Sequence, residues 1–362
     1  MDDIERRLRA AMIAAAEQPP SGLMEGIRRR HRRHVRRVAV GCAAVVVAIA
    51  FVIPVAHALR FGRAPTSRAS TGTAATPYAS WTKQLRGEVA YGCGDYICLM
   101  RPDGTGKRTL TAAPPEWDPA WSPDGRRLAF RGYYGSAEGD NDLYVVDANG
   151  CHVARLTHRV GGISPSWSPT GRQIAYAVGG IDVINADGRG IRRLTRDTSM
   201  YGDDAPAWSA GNRLAFVRTR TGRSSGEIYT MNADGSGVAP LTRGAPGFGQ
   251  PSWSPDGKSI AFVAYPSSSA RLYSAGAVEV ANADGTGVHQ VSPPFWWSYS
   301  PTWTPGGKIV FLRQKGAPTQ FAAAPTSAYI VNRDGTGLRL LYPNLDATQI
   351  AWGPTTLPGA TC

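Results

Sequence analysis

Few residues of this chain are spaced for covalent chemistry. Gly222-Arg223-Ser224-Ser225-Gly226 spells the G-x-S-x-G expression of serine hydrolases. That chemistry needs a strand-to-helix elbow that lifts the serine above a parallel sheet. Here the five residues fall between Leu214-Ala215-Phe216-Val217 and Ile228-Tyr229-Thr230-Met231, two short runs that read as antiparallel strands, so no nucleophile is expected. His152, His158 and His289 have no spacing that would bring two ligands to one metal. Glu138, Asp140 and Asp142 stand at alternate positions and could hold Ca²⁺; the plainer reading is a solvated loop, with Asp142 merely preceding a strand. Neither a cofactor nor a metal is expected. The sequence offers binding chemistry instead. Aromatic, acidic and amide side chains recur in segments that fit no repeat: Glu116, Trp117 and Asp118; Tyr201, Asp203 and Asp204; Phe248 and Gln250; Phe295, Trp296, Trp297 and Tyr299; and Asp346. Such groups suit a sugar, a peptide or a cationic ligand.

The elements that must position these groups are written as a repeat. Trp121, Trp167, Trp208, Trp253, Trp303 and Trp352 follow one another at steps of 46, 41, 45, 50 and 49 residues. The first five each stand two residues after a proline, and three continue as Trp-Ser-Pro. Between them runs Asp-Gly-x-Gly, at Asp103, Asp187, Asp234, Asp284 and Asp334, with a weaker copy at Asn149-Gly150. Asp-Gly between apolar runs is a hairpin signal, because glycine accepts positive φ and aspartate caps the turn. Each step parses into four short strands, as in Pro119–Ser122, Arg127–Arg131, Asp142–Val146 and Val153–Thr157. Steps of roughly 40–50 residues with this content predict an all-β propeller, one blade per step.

Six blades are expected. Residues 87–111 supply three strands but lack the Trp-bearing one, and Gln349-Ile350-Ala351-Trp352 is a lone Trp-bearing strand. Joining them closes the ring from both ends and leaves no innermost edge.

The Pro-x-Trp-Ser-Pro-Asp-Gly and Asp-Gly-x-Gly elements, over about residues 87–353, resemble the TolB-type, WD-repeat-like propeller family. The family serves envelope assembly, carbohydrate chemistry and docking beside peptidase domains. The resemblance therefore implies a fold and leaves the function open between an adaptor and an enzyme. Ser209-Ala210-Gly211-Asn212 and Thr304-Pro305-Gly306-Gly307 depart from the repeat but keep turn chemistry.

Topology sorts the candidates. In a four-stranded meander the first and third turns share one face, and the middle loops and interblade loops share the other. The Asp-Gly turns occupy the first. The irregular segments, with the candidate ligand residues above, occupy the second, where function usually lies. The repeated tryptophans, fixed beside proline, are expected to pack between blades.

The N-terminal part reads differently. Residues 1–37 are basic, and Arg28–Arg37 holds seven arginines. Asp2–Glu17 carries Ile4, Leu8, Met12 and Ala15 at helical spacing and reads as a membrane-surface segment, with a cytoplasmic partner helix as the alternative. Residues 38–59 contain no Asp, Glu, Lys or Arg, long enough for a transmembrane helix. The positive-inside rule puts residue 1 in the cytoplasm and the propeller outside. Ala56-His57-Ala58 resembles a signal-peptidase site, but the long basic segment before it favours an uncleaved anchor. Residues 60–84 read as a linker, 85–354 as the propeller and 355–362 as a tail. The formal charge of +13 is scattered over the ring with no basic stripe, so nucleic acid is not an expected partner. An exported compartment permits disulfides; Cys93–Cys98 and Cys151–Cys362 are the expected pairs. The expected function is a membrane-anchored adaptor or sensor of the cell envelope, binding an envelope protein, peptide or glycan at the propeller mouth without catalysis. The alternative is a carbohydrate-active lyase or hydrolase using the same mouth.

Overall fold

The computed structural model describes residues 79–82, 84–111, 116–133, 141–158, 163–222, 226–242, 247–265, 276–293, 296–314, 326–345 and 347–354. These form six antiparallel sheets of four strands. We number them as blades, each running from an innermost to an outermost strand. Blade 2 shows the pattern: Glu116–Trp121, Arg127–Tyr133, Asn141–Asp147 and Ala154–Arg155. Blades 3, 4, 5 and 6 begin on Ile163–Trp167, Tyr201–Trp208, Gly247–Trp253 and Trp297–Trp303. Blade 1 takes its innermost strand, Ala347–Trp352, from the far end of the sequence and pairs it with Val89–Cys93. The ring closes as the sequence predicts. The expected transmembrane segment, residues 38–59, lies outside the described residues.

Burial follows the pleat. The second strands read Leu128-Ala129-Phe130, Leu214-Ala215-Phe216, Ile260-Ala261-Phe262 and Ile309-Val310-Phe311, all fully buried. Both faces of a blade are covered by neighbouring blades, so the run is continuous rather than alternating. The core is accordingly six separate layers between adjacent blades. The layer between blades 1 and 2, for example, joins Ile97 and Leu99 to Leu128, Phe130 and Tyr144.

Tryptophan stitches the layers. The indole N–H of Trp167 donates to the Ala120 carbonyl at 3.1 Å, that of Trp253 to Ala207 at 3.1 Å and that of Trp303 to Ser252 at 3.0 Å. Each acceptor is the residue just before the tryptophan of the preceding blade. Two blades depart. Trp208 turns to Asn212 of its own blade at 3.1 Å, where the repeat has lost its Ser-Pro turn. Trp121 faces the closing seam, where Gly353 lies against its ring, and its buried N–H has no partner.

The outermost strands are held by a hydroxyl. Thr157, Thr195, Thr242 and Ser292 accept from the backbone N–H of Leu143, Ile181, Ile228 and Val278 at 2.8–3.0 Å. That contact explains the recurrent Leu-Thr ending. Blade 6 substitutes Tyr342, whose buried hydroxyl donates to the Pro102 carbonyl of blade 1 at 2.9 Å. The Asp-Gly turns cap themselves, with Asp234, Asp284 and Asp334 each accepting from the backbone N–H and hydroxyl two residues on. Glycine is needed there for space as well as for φ: a Cβ on Gly285 (φ 85°) would stand 2.6 Å from the Leu241 carbonyl of the preceding blade.

Two features fall outside the sequence reading. Residues 79–82, expected within the linker, form a helical turn whose Trp81 packs on the blade 6–blade 1 layer, under Arg339 at 5.4 Å. Asp142, expected merely to precede a strand, is buried and ion-paired with Arg155, and accepts from the Thr157 hydroxyl at 3.0 Å. Glu138 and Asp140 lie outside the described residues. Cys93 and Cys98 are bridged across the tip of a hairpin, with Cα atoms 5.9 Å apart. Cys151 is also disulfide-bonded, and Cys362 lies outside the described residues.

Candidate functional site

Each innermost strand carries a bulge midway along its length. The register with the second strand shifts between Trp117 and Ala120, Ile163 and Ser166, Asp204 and Ala207, Gly249 and Ser252, and Tyr299 and Thr302. In all five the residue before the proline has positive φ: Asp118, Ser164, Ala205, Gln250 and Ser300, at 49–58°. Such values are uncommon for residues with a side chain. A bulge re-aims the strand, and here it turns one residue per blade toward the axis. Those residues, with Gln349 of blade 1, line a central cavity of about 170 Å³. Beyond them, toward the Asp-Gly face, the Pro-x-Trp segments line a second space of about 370 Å³.

The axial side chains bind one another around the ring. The Gln349 amide donates to the Asp118 carboxylate and its oxygen accepts from the Asp118 backbone N–H at 2.5 Å. Asp118 accepts from Ser164 N–H at 3.3 Å, Gln250 from Ser300 N–H at 2.7 Å, and Ser300 from Ile350 N–H at 3.2 Å. Blade 4 interrupts this relay, because Ala205 has no polar side chain and its own N–H is taken by Asp204 at 2.6 Å. The constriction is polar, mostly self-satisfied and rigidified by its own contacts.

Sequence reasoning missed the arginines of the irregular face. In blade 4, Arg218 meets Asp203 through two bonds, Nε to Oδ1 at 2.7 Å and Nη2 to Oδ2 at 2.6 Å. Its guanidinium lies 6.0 Å from the Tyr201 ring, 5.3 Å from Phe216 and 5.0 Å from Tyr229. The bond to Asp203 raises the Arg218 pKa above its ordinary value. In blade 2, Arg131 stands 4.8 Å from the Trp117 ring and 3.3 Å from Asp118. In blade 6, Arg313 lies 3.4 Å from the Trp296 ring and 5.8 Å from Tyr329. The signal was available: Arg218 and Arg313 both stand two residues after the repeat phenylalanine of the second strand.

Most of the sequence-derived candidates are thereby placed. Trp117, Tyr201 and Trp296 are the aromatic halves of three arginine stacks. Asp118, Gln250 and the unpredicted Gln349 belong to the axial ring, and Asp203 is locked by Arg218. Phe248 is buried in the blade 4–blade 5 layer, edge-on to Phe262 at 5.5 Å, and its own backbone bridges to Gly226 of the preceding blade. Tyr299 turns its hydroxyl to Thr326 and the Ala347 carbonyl at 3.2 and 3.3 Å. Trp297 opens blade 6, half-buried, opposite Gln314. Glu116 opens blade 2 opposite Gly132. Asp346 and the G-x-S-x-G serine lie outside the described residues. Among the described residues no group of three His, Cys, Asp or Glu side chains could hold a metal ion.

The TolB beta propeller domain family matches residues 163–356, more than half of the chain. This chain belongs to that family. Among solved structures it is similar to TolB from Acinetobacter baumannii, at 22% identity with a TM-score of 0.61, covering 74% of this chain and 67% of that one. It is also similar to a TolB-like protein from Agrobacterium tumefaciens, at 20% identity and TM-score 0.55, covering 75% and 91%. Hydrazine synthase of Kuenenia stuttgartiensis shares the fold at 12% identity and TM-score 0.56, covering 77% and 48%. No curated protein sequence matches. At these identities the likeness defines the architecture of this TolB-family propeller, and its chemistry must be argued from its own side chains.

Proposed function

We propose that this TolB-family propeller is a non-catalytic adaptor or sensor of the cell envelope, tethered by residues 38–59 with the ring outside, which captures an exported protein, peptide or glycan at its irregular face. The observation that carries the reading is the contrast between the two faces. On one, the repeated turns satisfy their own donors and acceptors. On the other, three arginine–aromatic stacks, at Trp117–Arg131, Tyr201–Arg218 and Trp296–Arg313, surround a polar axial ring. Stacked arginine and large aromatics supply rigid contact area at small entropic cost and are the usual anchors of a binding surface. A carbohydrate-active centre would draw on a pair of available carboxylates. Asp118 and Asp203 are instead engaged by Gln349, Arg131 and Arg218.

The test is capture from intact envelope by the full chain. Replacing Trp296 and Trp297 together by alanine should weaken capture without lowering the melting temperature of the ring by more than a few degrees. Undiminished capture, together with its loss on altering the Asp256 and Asp284 turns of the opposite face, would place the partner on the wrong side of this proposal. Protease added to right-side-out cells should remove the ring; a protected ring would refute the topology.

A further inference from the structure

Blades 4 and 6 carry the same device with one part changed. Counting back from the repeat tryptophan, Tyr201 corresponds to Trp296 and Asp203 to Ser298. On the second strands, Phe216 corresponds to Phe311 and Arg218 to Arg313; on the third, Tyr229 corresponds to Tyr329. The register agrees, since Asp203 pairs with Arg218 and Ser298 with Arg313. Directly opposed residues of an antiparallel pair point to the same side of the sheet. In blade 4 the guanidinium is closed by a carboxylate whose side chain is 1% exposed. In blade 6 serine stands in place of that carboxylate, and among the described residues no other carboxylate takes its position. Arg313 Nη1 donates to the Tyr329 hydroxyl at 3.2 Å. Arg313 Nε and Ser298 Oγ are both buried without any partner, and Ser298 is 2% exposed. Among the described residues no carboxylate pairs with Arg313.

Unpartnered buried donors are costly, about 1–3 kcal/mol each and more when charged; Arg313 as a whole is half-buried, and its Nε is the buried part. Here two donors converge on the position that a carboxylate fills in blade 4. We propose that blade 6 holds a binding site for the side-chain carboxylate of an Asp or Glu on a peptide partner, which completes in trans the ion pair that Asp203 makes in cis. This rests on the irregular face being the capture surface, and it names the chemistry captured there. The carboxylate lies between Arg313 Nε and Nη2 and accepts a further bond from the Ser298 hydroxyl. In blade 4 the same slot admits a carboxylate borne on a single methylene. Trp296 forms the outer wall. Its ring lies 3.4 Å from the Arg313 guanidinium, whereas Tyr201 stands 6.0 Å from the already neutralised Arg218. An arriving carboxylate shifts the indole toward the wider spacing, so binding alters tryptophan fluorescence.

The full chain in a neutral-lipid nanodisc is titrated with N-acetyl-Asp and N-acetyl-Glu amides, their uncharged Asn and Gln counterparts, an N-acetyl peptide with a free C-terminus, and galacturonate. Fluorescence and thermal shift are read together. The acidic amides should bind and the uncharged ones should bind about 10- to 100-fold more weakly, the ratio expected for losing hydrogen bonds to a charged group. The deciding variant is Ser298→Asp, which rebuilds the blade 4 pair. It should melt higher than the wild type without ligand and no longer respond to the acidic amides. Arg313→Gln should also lose the response. A Ser298→Asp variant that melts lower, or that binds as the wild type does, overturns the site. So does equal binding of charged and uncharged amides, or no response to any carboxylate up to its solubility limit. Response to galacturonate or the free C-terminus alone overturns the side-chain assignment. If Ser298→Asp still captures the envelope partner while the Trp296 and Trp297 double variant does not, the capture face stands and the carboxylate site falls.

Discussion

Trp121 and Trp167 occupy the same place in neighbouring blades, yet replacing each by phenylalanine should have different consequences. Both substitutions remove indole from an inter-blade layer, but Trp167 is the more deeply buried of the two and carries Arg127 4.9 Å from its ring, so packing already weighs against Trp167→Phe. The polar terms act in the same direction. Trp167 donates to the Ala120 carbonyl at 3.1 Å, and Trp167→Phe leaves that half-buried acceptor short of a donor, a loss of about 1 kcal/mol. The Trp121 N–H is buried with no acceptor, and Trp121→Phe removes this unpaired donor, recovering about 1 kcal/mol or more. Trp167→Phe should therefore be the worse by about 2 kcal/mol or more, the sum of the two polar terms. For a domain of this size that is roughly 4–8 °C in melting temperature. The assay is thermal unfolding followed by circular dichroism, since fluorescence would itself be altered by the substitution. Equal shifts, or a larger loss for Trp121→Phe, would refute the claim that the indole N–H stitches one blade to the next.

Ending the chain after Leu345 removes the innermost strand of blade 1; the whole ring should then melt at a lower temperature in one transition, and unchanged melting would disprove closure from both ends. The carboxyls of Asp103, Asp234, Asp284 and Asp334 are held below the ordinary carboxylate range, first by the hydroxyl two residues on and then by its backbone N–H. A depressed folded-state pKa contributes stability that is present above the unfolded value and is lost as pH falls through the folded one. The loss should therefore begin below about pH 4. Changing the four aspartates to asparagine should flatten the melting temperature between pH 5 and pH 2, and an unaltered slope would count against the turns. Peptide mapping without reductant should find Cys151 linked to Cys362; free thiol at either position would refute that pairing.

The ring was legible in the sequence because its determinants are local and repeated. Pro-x-Trp, Asp-Gly-x-Gly and the apolar runs each report on a few consecutive residues, and the orphan strand at Trp352 announced the closure. The candidate surface was legible only as a neighbourhood. What decides the role of Asp203 is that it faces Arg218, and what sets Ser298 apart is that it faces Arg313 with nothing between. Those partners are 15 residues apart in sequence, across a turn and a bulge. A bulge moves the register by one residue and so reverses which side of the sheet a side chain takes. No periodicity in the sequence marks that reversal, which is why Phe248 read as a mouth residue and lies in the core. Asp142 escaped for a related reason: its partner Arg155 is on the adjoining hairpin strand, and only the folded blade brings the two together.

Closure from both ends also sets an order of events during synthesis. Val89–Cys93 emerges early, while the strand that must lie beside it, Ala347–Trp352, is made more than 250 residues later. At about 5–20 residues per second, the second strand of blade 1 waits on the order of 10–50 s without its inner neighbour. Throughout that interval it offers an unpaired edge of the kind that recruits foreign strands. The disulfide between Cys93 and Cys98 sits at the far tip of this waiting hairpin and needs nothing from the last blade to form. An oxidising compartment could therefore fasten the hairpin before its neighbour arrives. On this view the bridge acts as a guard on a nascent chain, and its removal should show first as lower yield of folded protein rather than as weaker stability once folded.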